Sequence, residues 1–335
     1  MQQEGCQPEI LIGIGETQLE SSDVQKSPVW RGCRTKIRML PGPGRYLLNE
    51  LFGNVVSAMR GTFDVYHPTL SRRMPFVSYK KLVVTLHDCI HERFSDMLPN
   101  AARVKRWRAD LFKRADAIIC VSESTRRDLL EFYEVDVRKT SVIHHGVTQL
   151  VPLNRPHSPV GPLRPYLLYV GSRATYKNFH GFLRAFHRAG LSRTFQIVAA
   201  GGGPFNAQER AQVDEVGSDV VIHFDSPSNP ELADLYSHAH ALVYPSLYEG
   251  FGFPPLEAMQ FGTPVIAANA SSIPEICGDA AVYFEVNDDD SFVAALVSAC
   301  FNSSLRDKVS NRAKTVLAKY SWKRCATETL RVYNS

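Results

Sequence analysis

The stretch that decides the fold is residues 244–274, YPSLYEGFGFPPLEAMQFGTPVIAANASSIP. The apolar run 241–244 just before it reads as a buried parallel strand. Residues 245–254 hold too much Gly and Pro for helix or strand, so they form a loop at that strand's carboxyl end. Pro255 suits the first position of a helix, where its missing N–H costs nothing; residues 256–261 continue it, and Gly262 ends it in a left-handed cap. Residues 264–268 return as the next strand. Glu249 then lies in the loop and Glu257 in the first helical turn, so the two acids do not share one helical face and have different tasks. Between them Gly250 and Gly252 let a ligand approach backbone N–H groups at the positive end of the helix. Such a place suits an anion, and acids beside an anion suit hydroxyls; a nucleotide sugar supplies both. The plainer alternative is a helix start with Glu257 as a surface acid complementing the dipole.

Working outward, residues 166–317 alternate apolar strands (166–170, 196–200, 220–224, 241–244) with helical patterns (179–188, 207–216, 231–237). Short, nearly continuous apolar strands alternating with helices imply a parallel sheet covered on both faces, with ligands beyond the strands' carboxyl ends. Residues 151–165 contain Pro152, Pro156, Pro159, Pro162 and Pro165 with no apolar period, and read as an interdomain linker. The first half has strands at 63–67, 81–86, 117–121 and 140–143. It has helices at 46–59, at 100–114, and from a Ser122 or Ser124 cap to about residue 133. Residues 1–36 show little periodicity beyond a strand-like run at 10–14. The expected fold is therefore α/β with two doubly wound domains: residues 1–150, the linker 151–165, residues 166–317, and a terminal helix over 318–335.

Polar clusters follow several strands. After 166–170 come Gly171, Ser172 and Arg173, then Lys177 and Asn178 opening a helix, so Arg173 and Lys177 can face one anion. A guanidinium fork and an ammonium near a helix N-terminus fit a diphosphate, although such cations are as often surface residues. Gly201, Gly202, Gly203 and Pro204 form either a close-approach loop or a simple tight turn. His87 follows strand 81–86 at the sheet's carboxyl edge, where it could touch a sugar hydroxyl or serve structure alone. His144 and His145 are adjacent, point apart, and have no third ligand at metal spacing. Asp288, Asp289 and Asp290 precede a helix and read as an N-cap cluster. The helix 100–114 carries Arg103, Lys105, Arg106, Arg108, Lys113 and Arg114, a solvated face before a membrane-surface or acceptor-binding one.

Composition narrows the class. The chain has 335 residues, 44% hydrophobic and 21% charged, with a formal net charge of +4, the balance of a globular protein with no strong nucleic-acid signal. Seven cysteines, odd in number and without a CxxC pair, indicate reduced thiols rather than disulfides or zinc. No apolar run is long enough to span a bilayer, and residues 9–15 do not have the pattern of a signal peptide.

Together these residues resemble the retaining glycosyltransferases of family 4, which have the GT-B fold. Glu249 and Glu257, with seven residues between them, match that family's paired-glutamate motif; EGFGFPPLEAM, GTPVIAAN and VGSRATYKNF match its surroundings and its diphosphate segment. FDVYHPT, VVTLHDCIHERF, ADAIICVSES and VIHHGV look like family segments in the right order, and SWKRCATETLRVY looks like the terminal helix that crosses back to the first domain. The resemblance runs from about Phe63 to the end. It implies two Rossmann-like domains facing a cleft. It gives Arg173 and Lys177 the diphosphate, Glu257 the ribose hydroxyls and Glu249 the donor sugar. Gly250, Phe251 and Gly252 would lie near sugar and phosphate, and His87 would contact the sugar at the reaction centre, with Glu249 and His87 as the catalytic pair. The implied reaction is metal-independent transfer of a hexosyl unit from a nucleoside diphosphate sugar, GDP-mannose being the indicated donor, to a saccharide or lipid-linked acceptor in polysaccharide or glycoconjugate synthesis. No cofactor is implied. The implied setting is cytoplasmic, with peripheral contact at the inner face of the membrane through the first domain.

One departure stands out. The family's chains begin with a strand and a glycine-rich loop leading into the first helix, and residues 1–36 contain no convincing version of it; PGPGRY at 41–46 is the nearest stretch. Either the start is divergent or the first domain is shortened. The second case leaves an alternative, a nucleotide-sugar-binding GT-B protein without transferase activity.

Overall fold

In the computed structural model, residues 10–12, 30–32, 62–68, 78–153 and 164–335 are described. Strands β1 (Ile10–Ile12) and β2 (Trp30–Gly32) pair in parallel. The reading anticipated β1 but not β2, because WRG has none of the apolar run that marks a buried strand. The helix expected at 46–59, the PGPGRY stretch and most of the proline-rich linker lie outside the described residues.

The first-domain sheet is parallel and ordered β3 (Phe63–Tyr66), β4 (Tyr79–Leu86), β5 (Ala117–Cys120), β6 (Thr140–Val142). Leu82, Leu86, Ile118 and Cys120 bury one side of it beneath the helix Ala101–Arg114, with Leu111 and Phe112. The helix Glu123–Phe132 starts at Ser122, whose hydroxyl accepts from the Thr125 N–H.

The second sheet contains β7 (Tyr166–Val170), β8 (Gln196–Ala200), β9 (Val221–Phe224), β10 (Ala241–Tyr244), β11 (Val265–Ala268) and β12 (Ala281–Phe284), all parallel. Their spatial order is β12-β11-β10-β7-β8-β9. The chain winds outward from β7 in one direction, then returns to β10 and winds the other way. The crevice between β7 and β10 is the topological switch point, where this architecture binds ligands. Strands β8, β10 and β11 are buried at every position because helices cover both faces. The helix Phe179–Arg188 contributes Phe179, Phe182 and Phe186, all fully buried. Asp288 caps the helix Asp289–Phe301 through the Ser291 N–H, as the acid run suggested.

The last helix, Trp322–Asn334, lies on the first-domain sheet. Cys325, Val332 and Tyr333 pack against Val83, Ile119 and Ile143, and the Lys81 ammonium donates to the Val332 carbonyl at the helix C-terminus. Among the described residues, no helix is long and apolar enough to cross a membrane.

Candidate active site

The site is built on the two loops that leave β7 and β10. They are tied together by the Leu247 N–H, which donates to the Tyr176 carbonyl at 2.8 Å. The β10 loop is held from below by the turn after β11: Ser271 Oγ accepts from the Glu249 N–H at 2.8 Å, and the Ser272 hydroxyl lies 2.9 Å from both the Glu249 and Phe251 carbonyls. From the other side the first domain grips the same loop. The Gly250 carbonyl accepts from the Ser122 hydroxyl at 2.7 Å and the Thr125 hydroxyl at 3.2 Å. The Tyr248 hydroxyl donates to Asp128 at 2.5 Å and accepts from the Cys89 N–H at 2.9 Å. Backbone approaches backbone so closely here that a Cβ on Gly250 would stand 1.7 Å from the His87 carbonyl oxygen, and Gly252 has φ +113°. Both glycines are therefore required by geometry.

The helix after this loop runs Phe253–Met259, two residues earlier than the expected start at Pro255, with Pro254 and Pro255 accommodated in the first turn. Glu257 thus falls in the second turn rather than the first. It accepts from the Tyr236 hydroxyl at 2.8 Å. Burial raises the Glu257 carboxyl above the usual range, and the Tyr236 bond offsets only part of that. Glu249 faces the other way: the Lys177 ammonium donates to both its oxygens, at 2.6 and 2.9 Å, with the two side chains 19% and 10% exposed. Burial first, then the Glu249 charge and hydrogen bond, pushes the Tyr244 hydroxyl up, so it stays protonated beside that acid.

The two cations expected to face one anion have different partners. Lys177 ends a 3₁₀ turn, Thr175–Lys177, followed by Asn178 in the left-handed region at φ 53°. This turn aims the ammonium at Glu249. Arg173 turns to the loop after β8 instead: its guanidinium donates to Glu209 at 3.0 Å, to the Gly201 carbonyl at 2.7 Å and to the Gly203 carbonyl at 2.6 Å, over the Phe205 ring at 4.7 Å. These bonds give Arg173 the task of shaping the glycine loop 201–204, whose three glycines all have positive φ. His87 is exposed at the end of β4, on the first-domain side of the same cleft.

The sequence reading missed the groups that join the domains. Ser122, Thr125, Asp128 and Tyr248 are one set. Glu275 is another: its carboxylate accepts from the N–H groups of Glu123 at 2.8 Å and Ser124 at 3.1 Å, opening the helix Glu123–Phe132, and from His144 Nε2 at 2.8 Å. Burial pushes the Glu275 carboxyl up, but the bonds from His144, Glu123 and Ser124 together leave it below the ordinary value. A capping signal at Ser122 was visible in the sequence; the acid that completes it comes from another domain.

Two parallel-sheet α/β domains, each sheet with its strands' carboxyl ends toward the shared crevice, and a returning terminal helix are consistent with the GT-B class. Comparison with protein families places both halves within it: residues 1–149 match the model described as Glycosyltransferase Family 4, and residues 153–316 match Glycosyl transferases group 1. The chain thus carries a domain matching each of these two family models, and the match to the first extends ahead of Phe63 to residue 1. Among curated relatives it is 31% identical over 172 residues to the O-antigen chain mannosyltransferase B of Escherichia coli, covering 50% of this chain and 45% of that one. It is 27% identical over 317 residues to the MMP alpha-(1->4)-mannosyltransferase of Mycolicibacterium hassiacum, covering 88% and 75%. The chain spans about half the length of the first curated relatives it matches, 45% and 57%. Among solved structures, the Anabaena Alr3699/HepE protein in complex with UDP and glucose shares the fold at TM-score 0.72 and 17% identity, covering 97% of this chain and 91% of that one.

Proposed function

We propose that this protein is a retaining, metal-independent hexosyltransferase that moves a sugar, mannose in the favoured case, from a nucleoside diphosphate sugar to a saccharide or lipid-linked acceptor. The observation that carries the reading is the Lys177–Glu249 pair at the β7/β10 switch point, with Glu257 on the helix behind it. A cation, an acid and loop N–H groups at that crevice match a diphosphate and a polyhydroxylated ring. The mannosyltransferase names of the relatives favour mannose as the sugar; GDP-mannose is the donor we propose.

In this reading the diphosphate takes over Lys177 and the N–H groups near Gly250, Phe251 and Gly252. Glu249, released from Lys177, accepts from the donor sugar's hydroxyls, and Glu257 accepts from the ribose. Arg173 acts indirectly, by holding the 201–204 loop. The anomeric carbon–oxygen bond breaks with its electron pair going to the phosphate. The acceptor oxygen bonds the same face of that carbon and its proton passes to the departing phosphate oxygen. His87 lies beside the sugar at this centre. Charge grows on the leaving phosphate, and a preorganised ammonium stabilises it there. No cofactor enters. The exposed cations Arg103, Arg106 and Lys113 on the helix Ala101–Arg114 suit peripheral contact with an anionic membrane surface at the cytoplasmic face, where a lipid-linked acceptor would be presented.

The test is a turnover assay with a panel of nucleoside diphosphate sugars, with and without chelator, and NMR of the product's anomeric configuration. Retention with chelator-insensitive turnover is expected. Inversion, or strict dependence on added divalent metal, would overturn the mechanism.

A further inference from the structure

The turn after β6 carries His144, His145 and Gly146, and the second ring stands in a column drawn from three parts of the chain. The His145 imidazole lies 5.4 Å from the His87 ring at 19° and 5.5 Å from the Phe253 ring at 22°, both stacked. Phe251 meets it edge-on at 5.2 Å, and Trp322 of the returning helix approaches to 5.7 Å. His87 needs such a partner. Its backbone is fixed by the close approach to Gly250, but its side chain is exposed, and among the described residues its ring makes no hydrogen bond. An exposed imidazole on a fixed backbone samples several rotamers, and a group that must meet a reacting sugar loses rate for each wrong one. Stacking on a packed ring selects one orientation.

We propose that His145 is a positioning residue for His87: its ring fixes the His87 imidazole at the cleft and couples that placement to Phe251 and Phe253 of the donor loop. The proposal rests on reading His87 at the reaction centre. Burial first, then the nearby His87 and His144, pushes His145 down to about 4, so the ring is uncharged near neutral pH. An uncharged ring offers its face to His87 without charge repulsion.

The experiment compares His145→Ala, His145→Phe and His87→Ala in the full chain. Measurements are kcat, donor KM, nucleotide affinity by calorimetry, and the His87 ring-proton NMR signal, assigned by its loss in His87→Ala. His145→Ala should lower kcat about tenfold, with donor KM and nucleotide affinity within about twofold, and should shift the His87 signal as the neighbouring ring current disappears. His145→Phe, which keeps the stack, should restore kcat to within about threefold and return most of the shift. Unchanged kcat in His145→Ala, a parallel fall of kcat and nucleotide affinity, or a His145→Phe protein as slow as His145→Ala would each overturn the proposal. If His87→Ala turns over at the wild-type rate, the reading of His87 fails instead, and an unmoved His87 signal in His145→Ala then also refutes the positioning.

Discussion

Replacing Glu249 by Gln should make the bare nucleoside diphosphate bind more tightly, although the proposed mechanism gives Glu249 a contact with the donor sugar. In the present arrangement the Lys177 ammonium is held by both carboxylate oxygens, at 2.6 and 2.9 Å. At an effective dielectric near 20, two unit charges about 3 Å apart attract by roughly 5–6 kcal/mol before desolvation and side-chain ordering are subtracted. A net of about 1.5–3 kcal/mol is usual for a charge-assisted bond, toward the lower end here because the groups are 19% and 10% exposed. A diphosphate that recruits Lys177 must displace that pairing and sit near the carboxylate's charge. Gln keeps one acceptor oxygen and removes the charge, so about 1 kcal/mol of competition disappears, worth roughly five- to tenfold in affinity. The sugar-bearing donor should gain less, because it also loses a hydroxyl contact, and turnover should fall on the order of a hundredfold. Calorimetric titration of both ligands at one fixed ionic strength measures the difference. Equal or weaker binding of the nucleoside diphosphate to the Gln variant would refute the ion-pair exchange, whatever happened to turnover.

Other perturbations address the domain junction. Tyr248→Phe leaves the Cys89 N–H and one Asp128 oxygen without their partner, and should cost about 1–3 kcal/mol of stability, read as a lower urea midpoint. Gly250→Ala would drive a Cβ into the His87 carbonyl; turnover should fall at least tenfold and the melting temperature with it, since neither backbone can retreat freely. Glu275→Gln should lower stability at pH 7 by about 1–2 kcal/mol. Because the folded Glu275 value lies below the unfolded one, its contribution is complete above the unfolded value and fades as pH falls through the folded one. The gap between wild type and Glu275→Gln should therefore close in acid; a gap that widens below pH 4 would contradict the assignment. Arg173→Ala should loosen residues 201–204, seen as faster amide exchange there, and weaken nucleotide binding through that loop.

The parallel architecture was legible because buried strands leave a strong local signal: 166–170, 196–200 and 241–244 are short, continuous apolar runs that coincide with β7, β8 and β10. The helix at 253 was placed late because proline is tolerated through the first turn, so Pro255 alone does not fix where the turn begins. Arg173 shows a different limit. Its spacing from Lys177 suggested one shared anion, but the 3₁₀ turn and the left-handed Asn178 aim Lys177 at Glu249 while Arg173 bonds the 201–204 loop, and neither direction has a firm sequence signature. The grip on Gly250 was invisible for a topological reason. Ser122 and Gly250 are 128 positions apart, and only the closed pair of domains brings a hydroxyl to that carbonyl.

The returning helix also bears on how the molecule can move. The chain passes between the domains twice, once after β6 and once before Trp322, and the two passages touch: the Val147 N–H lies 3.5 Å from the Tyr320 carbonyl, and Gly146 has no room for a Cβ beside the Trp322 backbone. Two covalent straps fastened at one place act as a single pivot. Swinging about that pivot leaves both straps slack, whereas twisting one domain over the other would wring them together. A relative motion of the domains about that pivot would separate His87 from the loop that carries Gly250, and the same pivot would return the two backbones to register.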